Sequence, residues 1–347
     1  MKHTNTSFKV VSSFLLFVLC FGLLSGCGDT KKTKQIFAMD TIMELTAYGD
    51  NADAGLSSAI QTINKLDKQF DPEYEKSEVY ALNQGNTVTV SDPILDMLDT
   101  ASLTYTRSGG ALNIALYPVI KAWGFIDSEY RVPDASELQA LLAETDFHAI
   151  QIEDHDVTLP ENMELSFGAL AKGCASEYVI DSFRKAGVEY ACISLGGNVQ
   201  TLGTKPDGSL WSVAVTNPKD TGSAVGVIQI GEAAVVTSGD YQRYFEAEDG
   251  TRYHHILDPA TGYPTDNGLR SVTIICDNGT TADALSTAMF VLGEEGAISY
   301  MQEFGGFEMI LITDDGRVIV SGGLADSFTE TDDSWNYVYL EDEKPVH

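Results

Sequence analysis

Histidine is scarce in this sequence, with six residues in 347, and cysteine scarcer, with five. Cys20 and Cys27 lie in the first thirty residues; Cys174, Cys192 and Cys276 remain, an odd number at wide spacing. That excludes a disulfide framework and a zinc-knuckle pattern, and leaves small core residues as the ordinary reading. Positive charge is also short: 21 Lys and Arg stand against 51 Asp and Glu, a formal charge of -30. Such an excess repels phosphate backbones and argues against nucleic-acid binding. No fixed-period repeat, low-complexity linker, Walker motif or GxGxxG spacing occurs. No apolar run reaches the length of a membrane span; Val10 to Leu24 comes nearest and is too short and wrongly flanked.

That run has the plan of an export signal. Lys2 and Lys9 precede it, and it ends in Leu24-Ser25-Gly26-Cys27. This resembles a bacterial lipobox, in which cleavage before Cys27 frees a residue to be diacylated and one acyl chain more can be added at the new amine. An ordinary secretory signal with an incidental Cys is the plainer alternative. Residues 1–26 are therefore set aside as a signal peptide, which makes the remainder more acidic by two charges. Residues 27–35 read as a lipidated tether, 36–330 as the catalytic domain and 331–347 as an acidic, peripheral tail. The location expected is the bacterial cell membrane, lipid-anchored, on its extracytoplasmic face.

Along the chain, Ile36 to Tyr48 reads as one strand. Leu56, Ile60, Ile63, Leu66 and Phe70 recur at helical spacing behind Asp53, a candidate cap. Ser91-Asp92-Pro93 opens a helix that Gly109-Gly110 ends, and 113–125 reads as a loop with a helical turn. Residues 136–144 suggest a short helix, 148–159 a hairpin, and 167–187 a glycine-containing entry into a helix stopped by Gly187. Strands follow at 211–217, 226–230, 234–238 and 271–276. A helix over Thr281 to Leu292, capped near Thr280 and stopped by Gly293, precedes a closing hairpin through Asp314-Asp315-Gly316. Helices and hairpins without regular alternation predict an α+β fold, with mixed or antiparallel sheets flanked by helices, in one large domain or two lobes.

Three stretches carry candidate chemistry. On the 281–292 helix, Asp283 and Thr287 lie four apart and share a face, with Ser286 beside them. A carboxylate and a hydroxyl are hard oxygen donors suited to Mg²⁺ or Ca²⁺. Alternatively Asp283 is a first-turn acid favoured by the helix dipole. In Gly168-Ala169-Leu170-Ala171-Lys172-Gly173, small residues before a helix and one lysine suit a phosphate, or close packing alone. In YHHILDPATGYP, residues 253–264, two of the six histidines adjoin an Asp-Pro turn. On an extended chain His254 and His255 point oppositely, so at most one faces a site and the other is exposed or structural; an ordinary surface or core imidazole is the alternative for both.

Met39-Asp40-Thr41, Trp123-Gly124-Phe125, GALAKG (168–173), SLGGN (194–198), SGDYQRYF (238–245), HILDPATGYP (255–264) and ADALSTA (282–288) follow one another in this order. Together they resemble the FAD:protein FMN transferase family, the ApbE-type flavin transferases, over nearly the whole chain after the signal. The pair HILDPATGYP and ADALSTA is the specific part. The resemblance implies splitting of the FAD pyrophosphate, with FMN passing to a Thr or Ser hydroxyl of a partner protein and AMP released. It implies Mg²⁺ on Asp283, Thr287 and the Ala169 carbonyl, FAD as substrate held by Lys172, and catalysis by His255 and Asp283, with His255 at the diphosphate. Met39, Tyr80, Ala122, Trp123, Gly124, Ser166 and Ile256 are implied as further FAD contacts. Ser166 departs from the family, which often has an acid there. No Ser/Thr-Gly-Ala-Ser/Thr segment occurs in the chain, so the acceptor expected is a separate redox-pump subunit or exported flavoprotein. An FAD pyrophosphatase using water as acceptor, and a non-catalytic flavin-binding lipoprotein, are the competing readings.

Overall fold

The computed structural model describes residues 30–341; the expected signal peptide and the expected lipidation site Cys27 lie outside the described residues. Its centre is a nine-stranded sheet in which the strands lie side by side in chain order. They are Lys32–Ala38, Thr41–Ala47, Ala191–Leu195, Asn198–Leu202, Ala234–Gly239, Leu269–Cys276, Glu308–Thr313, Arg317–Val320 and Asn336–Tyr339. Every pairing is antiparallel except the last, 317–320 with 336–339. Everything else is an insertion between neighbouring strands, and the insertions carry the candidate site.

Both faces of the sheet are covered, which explains near-continuous apolar runs such as Met309-Ile310-Leu311-Ile312. Met309 and Leu311 join Val236, Val272 and Ile274 under the helices Ala52–Phe70, Asp92–Arg107, Ala171–Lys185 and Gly279–Phe304. Ile310 and Ile312 face the other way, onto Trp211, Val213 and Ile228 of a small sheet formed by Trp211–Asn217, Asp220–Ile230 and Phe328–Glu330. A third apolar cluster gathers Trp123, Phe125, Leu138, Phe245 and Leu257 around the hairpin Tyr244–Glu246/Arg252–His254. The chain is thus α+β, as its patterning predicts.

Several elements differ from the sequence expectation. Residues 36–48 are not one strand but parts of two, turning at Met39-Asp40, both with positive φ (47° and 58°). That is the two-residue hairpin geometry usually given to glycine or asparagine, and it conceals the turn in an apolar run. The next two-residue hairpin of the central sheet, Gly196-Gly197, has the expected residues; a Cβ on Gly196 would come within 2.6 Å of Thr41. Asp53 is not the cap of its helix. Asn51 holds that position and spends its side chain on the Gly187 carbonyl instead (3.1 Å). The 279–304 helix is capped by Asn278, whose Oδ1 accepts from Thr281 N (2.8 Å), not near Thr280. Gly293 (φ 75°) does break it, but a second helical segment continues to Phe304. Asn267 Nδ2 caps the freed carbonyls of Phe290 and Val291. Lys32–Gln35, read as tether, pair in the edge strand, and Asn336–Tyr339, read as tail, pair with 317–320. Among the described residues no helix is long and apolar enough to cross a membrane.

Candidate functional site

The helices Ala171–Lys185 and Gly279–Phe304 cross at two glycines. A Cβ on Gly173 would lie 2.2 Å from the Gly279 carbonyl oxygen and 2.6 Å from Asp283 Cβ. A Cβ on Gly279 would lie 2.4 Å from Ser176 Oγ. The close approach lets Gly173 N donate to Asp283 Oδ2 at 2.8 Å. In a continuing helix that amide would return to the Ala169 carbonyl. Here it does not, and no backbone amide among the described residues takes up Ala169 O. A buried network braces the crossing: Glu177 accepts from the Gly279 amide and from Gln200 Nε2 (2.6 Å), and Ser176 Oγ donates to the Gly173 carbonyl (2.7 Å).

Asp283 is 4% exposed. Burial raises its pKa; Lys172 and the Gly173 amide oppose the shift. Asn198 Nδ2 is itself buried and makes no hydrogen bond to protein. One turn on from Asp283, Thr287 Oγ1 lies 3.3 Å from Ser238 Oγ on the neighbouring strand. Ser238 Oγ lies 2.8 Å from Ser286 Oγ, which donates to the Asp283 carbonyl (2.9 Å). Lys172 has no ion-pair or hydrogen-bond partner among the described residues; its ammonium acts electrostatically on both Asp283 and His255.

His255 follows the strand Arg252–His254 and is half-buried. Its amide and its Nδ1 both meet the Arg243 carbonyl at 3.1 Å. A carbonyl only accepts, so Nδ1 carries the proton and Nε2 presents a lone pair. Burial, then the charges of Arg243 and its neighbours, push its pKa down to about 3, so the ring is neutral at ordinary pH. His254 is the structural partner that the alternation predicts. It is buried, its Nε2 donates to Thr265 O (2.9 Å), and its Nδ1 accepts from Ile256 N (3.3 Å). The Asp-Pro turn is stapled by Asp258: Oδ1 accepts from Ala260 N (2.8 Å), and its carbonyl accepts from Gly262 N (2.7 Å).

Three of the expected flavin-contact stretches, those of Tyr80, Ser166 and Ala122, are tied to one another or to a shared loop. Asn83, on the helix Glu78–Asn83 that carries Tyr80, exchanges hydrogen bonds with Leu165 O (2.9 Å) and N (2.8 Å). Ser166 N donates to Ile114 O (3.0 Å), and Glu164 pairs with Lys121 beside Ala122. Met163, Leu165 and Phe167 point into the core while Glu164 and Ser166 are half-buried on the opposite side, so an acid does stand on the Ser166 face, two residues earlier. Trp123 is 0% exposed; its Nε1 donates to Gly262 O (2.8 Å) and its ring packs on Tyr253 at 5.1 Å. That indole ties the 122–124 loop to the Asp-Pro turn and has no free face for a flavin. Gly124 (φ 77°) tolerates no side chain, since a Cβ would meet Glu129 O at 2.2 Å. Met39 is half-buried at the hairpin tip, its amide bonded to Asp67 Oδ1 (2.8 Å). Ile256 is buried in the main core.

The sequence reading missed Ser238, Asn198, Glu177 and Asn83. Ser238 opens SGDYQRYF, a stretch to which no role was given. The other three are polar residues whose partners lie far along the chain, which spacing cannot reveal.

A divalent cation suits the donors. Among the described residues no three His, Cys, Asp or Glu cluster as a zinc site would. The candidate donors are one buried carboxylate, a threonine hydroxyl one turn on along the same helix and a carbonyl that no backbone amide claims, all hard oxygens.

The description "ApbE family" matches residues 39–311. A Treponema pallidum protein described as FAD:protein FMN transferase is 31% identical over 340 residues, covering 90% of this chain and 93% of that protein. One from Klebsiella pneumoniae with the same description is 33% identical over 294 residues, covering 82% and 91%. The crystal structure of the ApbE protein of Thermotoga maritima superposes with a TM-score of 0.77 at 28% identity, covering 83% of this chain and 96% of that one. The flavin transferase ApbE of Vibrio cholerae gives 0.74 at 26%, covering 87% and 97%.

Proposed function

The chain belongs to the ApbE family, and from that membership we propose that it is an FAD:protein FMN transferase acting on a Thr or Ser hydroxyl of a separate acceptor protein. The acceptor oxygen attacks the FMN phosphorus of FAD. The bond from that phosphorus to the bridging oxygen breaks, the bridging oxygen leaves with AMP, and a phosphoester forms. Such chemistry needs positioning, charge neutralisation and a place for the hydroxyl proton.

The observation that carries this reading is the junction of Asp283, Thr287, Lys172 and His255 from three separate insertions. Mg²⁺ would be held by Asp283, Thr287 and the Ala169 carbonyl, and would supply neutralisation of pyrophosphate charge. The desolvated Asp283 carboxylate supports a cation there. Lys172, free of protein partners, binds the diphosphate. The tautomer of His255 refines its role: with Nδ1–H committed to Arg243 O, Nε2 cannot donate to a phosphate oxygen, so His255 receives the acceptor proton. Its low basicity comes from burial and from the cations Arg243 and Lys172. The negative charge of bound pyrophosphate opposes those cations and raises it. The Trp123–Gly262 bond keeps the His255 turn fixed to the 122–124 loop. Export through a signal peptide and lipidation of Cys27 would hold the enzyme on the extracytoplasmic face of the membrane, where the acceptor is a redox-pump subunit or exported flavoprotein. The order Leu24-Ser25-Gly26-Cys27 supports that placement.

The test is Asp283→Ala. FAD binding, followed by quenching of flavin fluorescence, is expected to persist while FMN transfer and AMP release stop. Equal turnover by variant and parent would overturn the assignment, and AMP release without transfer in the parent would favour the pyrophosphatase.

A further inference from the structure

We propose that Ser238 and Ser286 are positioning residues that fix the hydroxyl proton of Thr287, so that Thr287 presents only lone pairs to a divalent cation. The inference rests on the reading of Asp283 and Thr287 as cation ligands. It follows from the directions of three contacts. The Asp283 carbonyl accepts the Ser286 hydroxyl proton at 2.9 Å, because a carbonyl has no proton to give. Ser286 Oγ has then spent its only proton, so in its 2.8 Å contact with Ser238 it must accept. Ser238 has in turn spent its own proton, so in the 3.3 Å contact with Thr287 Oγ1 it must accept as well. The Thr287 proton therefore points at Ser238, and the remaining electron pairs of Oγ1 are left for a ligand. A chain of three hydroxyls ending on one carbonyl has a single polarity.

The layout makes this a built arrangement. Ser286 is fully buried, Asp283 and Thr287 stand on the same helix, and Ser238 reaches them from the strand Ala234–Gly239. The same stretch continues to Arg243, whose carbonyl sets the tautomer of His255. Residues 238–243 thus fix hydroxyl direction at the cation side and proton position at the histidine side.

Calorimetric titration of the purified full chain with Mg²⁺, with and without FAD, tests the idea beside Asp283→Ala, Thr287→Ala, Ser238→Ala, Ser286→Ala and Ser238→Thr. Groups that orient a metal ligand are worth about 10- to 100-fold in metal affinity. Ser238→Ala is therefore expected to weaken Mg²⁺ binding at least tenfold, while the metal-free thermal midpoint stays close to the parent's. Ser238→Thr, which keeps the hydroxyl, is expected to restore affinity to within threefold. Ser286→Ala removes the acceptor that polarises Ser238 and is expected to weaken binding as well; it decides the matter if Ser238→Ala fails to fold. Parental affinity in both serine-to-alanine variants, with binding lost in Asp283→Ala, would overturn the proton chain and leave the cation site standing. Parental affinity in Asp283→Ala and Thr287→Ala, or no Mg²⁺ binding by the parent, would remove the cation site and the proposal together.

Discussion

Replacing Gly173 by alanine tests whether the helix crossing builds the site. The added Cβ would stand 2.2 Å from a backbone oxygen and 2.6 Å from Asp283 Cβ, where ordinary contacts begin near 3.4 Å. Neither obstacle is the end of a flexible side chain, so the helices must part by about 1 Å. Overpacking of this kind costs about 1–3 kcal/mol. Alanine's better helix propensity returns up to about 1 kcal/mol, so with a mid-range cost of about 2 kcal/mol the net loss is about 1 kcal/mol or somewhat more. At about 2–4 °C per kcal/mol for a large domain, the midpoint should fall by several degrees. Activity should suffer more. The same parting stretches the 2.8 Å bond that orients Asp283, and a misplacement of about 1 Å in a positioned group costs about 100-fold. Gly168→Ala is the control, since its Cβ would meet only Ser166 Oγ at 3.6 Å. Differential scanning fluorimetry and an FMN-transfer assay read both variants. A Gly173→Ala protein with the parental midpoint and a rate within twofold of the parent would refute the reasoning.

Four further outcomes follow. Trp123→Phe keeps the aromatic packing but strands the Gly262 carbonyl, an expected loss of about 1–3 kcal/mol measured by urea unfolding; an unchanged urea midpoint would show that the indole N–H does not anchor the turn. His255 and His254 both have pKa values depressed by burial. The unfolded chain therefore binds more protons below about pH 6.5, and stability should fall as pH drops from there toward about 3. His255→Asn should flatten that slope, and an unchanged pH–stability curve would contradict the assignment. Asp240, half-buried beside Arg270 at 2.8 Å, also meets Arg252 of the strand that precedes His255 through its carbonyl (3.1 Å). Arg252→Ala, which removes that donor, should loosen the hairpin, seen as faster amide exchange over 244–255; exchange at the parental rate would count against the tie. Chelation should lower the thermal midpoint, and a Mg²⁺ concentration 100 times its Kd should restore about 2.7 kcal/mol; a midpoint indifferent to EDTA and Mg²⁺ would argue against a bound cation.

How much of this was legible in the sequence depended on whether a feature is local. The helices at 52–70, 92–107 and 171–185 announce themselves through spacing, and the long hairpin strands through apolar runs. That Asp283 and Thr287 share a face follows from one helical period, and the opposite orientation of His254 and His255 follows from strand alternation. What stayed hidden depends on contacts across the chain. The Met39-Asp40 turn lacks turn residues, and Asn51 abandons its capping role for a carbonyl 136 positions away. Ser238 acquires a role only when its strand lies beside the 279–304 helix. Trp123 shows what packing adds to a motif: its indole is committed to protein, with its N–H taken by a turn 139 residues on.

The central claim is transfer of FMN from FAD to a protein hydroxyl. Mass spectrometry of the purified protein incubated with FAD, Mg²⁺ and a protein carrying an acceptor threonine tests it most directly. A gain on the acceptor equal to one FMN phosphoester, with equimolar AMP and both abolished by EDTA, is the result expected. Intact FAD, bound and unchanged beside an unmodified acceptor, would contradict it and make 253–264 a binding loop.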